Sequence, residues 1–175
     1  MKKPATKWVV VAVLILLVGY SGFATYSWLE AERIGNRTNG ALYSNALYLS
    51  DIPLAELTDV GSVAESLTKT DVTDEVLGER TIQYLFHART LFYSSRMLQV
   101  LTDDEEYGLF AGAMGNLLDF FIEVNNQPNE KEILMTNLDT LKQMEHILLD
   151  ISTIDSLTLA DAQELLALTG NLAVG

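Results

Sequence analysis

Residues 8–29 contain no charged side chain, an unbroken run of 22 residues in a chain of 175. As a helix the run measures roughly 33 Å at about 1.5 Å per residue, close to the hydrocarbon thickness of a bilayer. Lys2, Lys3 and Lys7 precede it, whereas Glu30 and Glu32 are the first charges after it. The positive-inside rule then orients the N-terminus to the cytoplasm and the rest of the chain outward. Trp8 at one end and Tyr20, Tyr26 and Trp28 toward the other fit interfacial anchoring. A competing reading is a cleaved signal peptide: the densest apolar stretch is residues 8–18, and Gly22-Phe23-Ala24 offers small residues for cleavage. Both readings export the same domain, one to a single-pass cell-membrane location, the other to secretion.

The expected organisation is a basic cytoplasmic tail over residues 1–7, a transmembrane signal-anchor helix over 8–29, a helical stalk over 30–50 and an extracytoplasmic domain over 51–175. Charge falls unevenly along it. Residues 1–29 carry +3, residues 30–96 carry −4 and residues 97–175 carry −12, for a net charge of −13. Such an acidic chain excludes nucleic-acid binding by phosphate neutralisation. The absence of cysteine excludes disulfides, thiolate metal sites and a thiol nucleophile.

No exported segment alternates with the period of a strand, so the fold class is all-α: an antiparallel bundle of four or five helices following the N-terminal transmembrane helix. Gly35 and Gly40, around Asn36-Arg37-Thr38-Asn39, suggest a hinge in the stalk. Asn36-Arg37-Thr38 also matches the short N-glycosylation pattern. Residues 51–70 read as a connector of short turns, with Pro53 opening one, Gly61 separating two, and Ser62 and Glu65 as a capping box. A long helix is expected over 73–101. Its apolar residues lie on two faces, Ile82, Phe86, Tyr93 and Val100 forming the second, which suggests the middle of the bundle. The next helix begins after Thr102 at the acidic residues 103–106 and carries the seam Tyr107, Phe110, Met114, Leu117, Phe121 and Val124. Asn125-Asn126-Gln127-Pro128 ends it. Asn129 and Glu132 cap a helix built on Leu134, Leu138, Leu141, Leu148 and Ile151, and a last helix starts after Thr158 and ends before Gly170.

Two groups of residues stand out as site candidates. Arg89 and Arg96, seven apart among apolar neighbours, are expected to be partly buried against Asp119 and Glu123 on the following helix, as an ion-pair network or an anionic-ligand pocket. Gly108, Ala111, Gly112 and Gly115 line one side of that helix and suit either close packing or self-association. Histidine chemistry has little to work with. His87 shares a polar stripe with Glu79, Gln83, Thr90 and Ser94 but no nucleophilic triad pattern, and His146 beside Glu145 lacks a metal-ligand motif. The acids of residues 103–106 lack the alternation and glycine of a calcium loop. No catalytic residue, metal or cofactor is therefore expected.

These readings converge on a non-enzymatic, membrane-anchored accessory, scaffold or sensor-like interaction subunit. Its expected partners are the bilayer through residues 8–29, a membrane or cell-surface protein, and further copies of itself. A pilin-like or other surface-filament subunit, assembled through the hydrophobic helix, is the structural alternative. Lys7-Trp8 lacks the small residue of a prepilin cleavage site, and no Glu follows at the fifth apolar position.

Overall fold

The computed structural model describes the backbone of residues 5–69 and 71–173, and the side chains of residues 24–69 and 71–173. Among these the fold is all-α, with six α-helices, one 3-10 turn and no strand. The helices are α1 (Ala5–Leu57), α2 (Val60–Leu67), α3 (Asp74–Thr102), α4 (Glu105–Asn126), α5 (Glu130–Asp150) and α6 (Leu159–Thr169), with the 3-10 turn at Ile154–Ser156. Two compact units are distinguished, Met1–Ala41 and Leu42–Gly175.

In the first unit the backbone is helical from Ala5 onward, with no break at Gly35 or Gly40. Each glycine costs a helix about 1 kcal/mol relative to alanine, too little here to interrupt the ladder. Arg33 pairs with Glu30 at 2.6 Å one turn away. Among the described residues no helix is long and apolar enough to cross a membrane. The tail lysines and residues 8–23, most of the expected span, lie outside the residues whose side chains are described, so the fold lends the span no support.

The second unit begins at Leu42, earlier than the expected boundary at 51, because the end of α1 already belongs to the core. Ala46, Leu54 and Leu57 are buried there, as is the hydroxyl of Ser50, which donates to the Ser94 hydroxyl of α3 at 2.8 Å. Pro53 lies within α1 and opens no new turn. It stands one turn from the helix end, where the N–H it lacks deprives only the Leu49 carbonyl of a partner.

Helix α4, not α3, is the central element. Phe110, Ala111, Ala113, Met114, Leu117, Phe121 and Val124 are all buried, and α4 packs against α3, α5 and α6. The stacked rings of Tyr84 and Phe121, 5.6 Å apart, join α3 to α4, with Phe120 edge-on to Phe121 at 5.3 Å. The hairpin between α3 and α4 closes at Asp103, whose φ of 63° is the left-handed value. Aspartate tolerates that conformation better than most residues, and its N–H donates to the Gln99 carbonyl at 2.8 Å.

Helix α2 lies against α5. Gly61 sits inside α2 rather than separating two turns, and a Cβ there would stand 2.6 Å from Lys142 Cα. Ser62 does not pair with Glu65. Its N–H and hydroxyl both donate to the Glu145 carboxylate at 2.6 Å, while Glu65 pairs with Lys142 at 2.9 Å. A side chain of α5 thus satisfies a free first-turn donor of α2, the service that a local N-cap normally gives. Asn129 likewise makes no capping hydrogen bond to the backbone of α5. The last helix does start after Thr158, where a capping box forms that the sequence reading does not anticipate, Thr158 and Asp161 bonding each other reciprocally. Near the C-terminus, buried Asn137 accepts from the Ala173 N–H at 2.8 Å and donates to its carbonyl at 2.6 Å.

Candidate functional site

Arg89, Arg96, Asp119 and Glu123 do not form a buried network. All four are exposed, and the ion pairs among the described residues, Arg33–Glu30 and Lys142–Glu65, involve none of them. The arginines lie along the helix surface instead. The Arg89 guanidinium stands 5.9 Å from the Tyr93 ring and that of Arg96 stands 5.9 Å from Phe92, where Arg96 also donates to the Gln99 side chain at 3.0 Å. Desolvating an arginine is expensive, and α3 turns these two outward. Asp119 and Glu123 border an open cleft of about 220 Å³ with Asn116, Phe120, Thr169 and Leu172.

The small residues of α4 are engaged inside the bundle. A Cβ on Gly108 would run into the Gln99 side chain, one on Gly112 would stand 3.2 Å from Leu166 of α6, and one on Gly115 would stand 3.4 Å from Phe92. Ala111 is fully buried. This face belongs to α3 and α6 and is not free to meet a second copy.

An unpartnered apolar row lies on α3. Ile82, Phe86, Tyr93 and Val100 are 44%, 55%, 57% and 83% exposed. Together with Arg89 and Arg96 they follow one another at steps of four, three, four, three and four residues, the spacing of a coiled-coil seam. The sequence pattern alone assigns the four apolar positions to a second buried face. Because α3 lies at the edge of the bundle, that face meets no other helix among the described residues. Scattered exposed apolar residues are ordinary on a protein surface, whereas an aligned row of this kind is the form helix-in-groove recognition takes.

Three tyrosines elsewhere are engaged structurally. The Tyr43 and Tyr107 hydroxyls both donate to Asp155 Oδ1, at 2.7 and 3.3 Å, tying α1 and α4 to the 3-10 turn. Asp155 raises the Tyr43 phenol above its ordinary value, and burial does the same for Tyr107. Burial, reinforced by a 2.7 Å hydrogen bond to Asp59, raises Tyr84. His87 is held below the usual imidazole value by desolvation, with Glu56 and Asp59 opposing. His146 is exposed, on an open cleft of about 260 Å³ shared with Asp150 and Glu164. No group of three or more potential metal ligands occurs among the described residues.

Glu130 opens α5 at the edge of a third cleft, of about 280 Å³, which Asp74 and Lys131 also line. Its Oε2 is buried without a hydrogen-bond partner. Desolvation, and then the neighbouring Asp74, raise its carboxyl above the ordinary value. The folded state therefore holds this proton to higher pH than the unfolded state, and stability from this group falls as pH rises through the folded value. Glu130→Gln is expected to melt higher than the parent at pH 7, with the gap closing below the ordinary carboxylate range. Melting curves at the two pH values check this, and a neutral-pH loss of stability would refute it.

No protein-family model, curated protein or solved structure matches the chain.

Proposed function

We infer that the chain is a membrane-anchored, extracytoplasmic helical-bundle protein that works by binding another protein, as an accessory, scaffold or sensor-like subunit without catalysis. The observation that carries this reading is the exposed seam of α3, whose apolar residues span about 27 Å at the helical rise. Further support for the anchor comes from the uncharged residues 8–29, bounded by three lysines on one side and two glutamates on the other. The structural engagement of Tyr43, Tyr84 and Tyr107 favours binding over chemistry.

The test places a photo-crosslinking amino acid at Tyr93 on the seam and, as control, at exposed Asp139 on α5. The expected result is a chain retained in membranes after an alkaline wash, with residues 1–29 intact and adducts from position 93 but not 139. Release into the soluble fraction would overturn the anchor. Absence of adducts from position 93 would overturn the interaction reading. A ladder of self-crosslinks with the leader removed would make the chain a filament subunit instead.

A further inference from the structure

We propose that the α3 seam docks against the same seam of a second copy, in antiparallel orientation, about a two-fold axis level with residue 91. This rests on reading that seam as a docking surface, and it names the occupant.

The seam reads Ile82, Phe86, Arg89, Tyr93, Arg96, Val100. Reversing it about position 91 places Ile82 against Val100, Phe86 against Arg96, and Arg89 against Tyr93. Every layer is then complementary: two aliphatic pairs at the ends and four guanidinium–aromatic pairs between them. A guanidinium over an aromatic face is favourable, and more so when both are desolvated. Each arginine already lies at ring-stacking distance from an aromatic on its own helix, 5.9 Å in both cases, so exchanging that ring for one on the second copy needs only a side-chain rotation. In antiparallel coiled coils the two seam positions alternate across the interface, so the spacing and the pairing agree.

The parallel arrangement is disfavoured by the same residues. It would set Arg89 against Arg89 and Arg96 against Arg96, like charges in a desolvated seam with no carboxylate among the seam positions. A two-fold interface also requires one patch to be complementary to itself, which the antiparallel register provides and the parallel one does not. Because each copy carries a net charge of −13, long-range repulsion opposes the encounter, and salt screens that repulsion. Self-association is therefore expected to tighten as ionic strength rises.

The absence of native cysteine makes the register directly measurable. Full-length Ile82→Cys and Val100→Cys chains, mixed in detergent with micelles in large excess and oxidised, are expected to yield a disulfide-linked heterodimer, while neither alone, nor Phe86→Cys alone, links to itself. Sedimentation of the parent chain is expected to show a dimer that tightens with salt, and the double variant Phe86→Ala, Tyr93→Ala is expected to weaken it roughly tenfold or more. Both alanines replace exposed side chains, so unchanged circular dichroism separates lost docking from lost folding. Self-linking of Phe86→Cys would establish the parallel pairing and overturn the proposal. So would a parent chain that stays monomeric at every concentration and salt level. If that monomer nonetheless crosslinks in cells from position 93 to another protein or to lipid, self-docking falls while the seam remains a docking surface. A complete lack of adducts at position 93 removes both.

Discussion

Replacing Phe121 by alanine is expected to lower the stability of the bundle by roughly 4 kcal/mol, a drop in melting temperature on the order of 12 °C for a chain of this length. Phe121 is essentially fully buried on the central helix and touches two rings, stacked on Tyr84 and edge-on to Phe120. Removing it leaves a cavity at the junction of α3 and α4 that helical backbones on either side cannot close, and it also removes the ring contacts, each worth about 1 kcal/mol beyond area burial. Thermal unfolding followed by circular dichroism gives the answer. A shift below roughly 3 °C would show that the junction repacks freely. Phe121→Leu, which restores most of the volume, is expected to recover more than half of the loss.

The second large effect is expected at Gly61. A Cβ at that position would stand 2.6 and 2.8 Å from the Cα and N of Lys142, and these are backbone atoms of a regular helix that no rotamer change can move. Gly61→Val forces α2 away from α5, stretching the Ser62–Glu145 bonds and the Glu65–Lys142 pair together. Overpacking of this kind costs about 3 kcal/mol, or roughly 10 °C in melting temperature. Limited proteolysis supplies the local readout: cleavage within residues 58–70 should rise well before the rest of the bundle opens. Unchanged melting and unchanged cleavage would mean that the helices separate at no cost.

Much of this fold is written in local signals. Thr158 and Gly170 delimit α6 because a cap and a terminator act on their own neighbours, and Asn125-Asn126-Gln127-Pro128 ends α4 for the same reason. The seam of α4 is equally plain, since a buried helix repeats its apolar residues at the helical period. The misreadings concern contacts between distant residues. Ser62 and Glu65 have the spacing of a capping box, yet each finds its partner on α5, 83 residues on in the case of Ser62. Gly61 resembles a chain break until the close approach of α5 explains why a side chain is missing there. For α3, periodicity identifies the row Ile82, Phe86, Tyr93 and Val100, but only the placement of the helix at the bundle edge decides whether anything covers it. Spacing and charge pair the arginines with Asp119 and Glu123, although carboxylates on the next helix are of no use to a guanidinium that faces the other way. The candidate surface was thus legible as a pattern, not as an exposed one.

The bond from Glu145 to the first turn of α2 also bears on how the chain is made. Eight residues are too few to sustain a helix in water by themselves, and the carboxylate that completes α2 is synthesised 83 residues after the serine it holds. A ribosome adding roughly 5–20 residues per second therefore exposes Val60, Ala64 and Leu67, all buried in the finished bundle, for several seconds before α5 exists to cover them. For that interval the stretch is an open apolar segment awaiting its complement, and chaperone capture during translation should peak there and end once α5 has emerged.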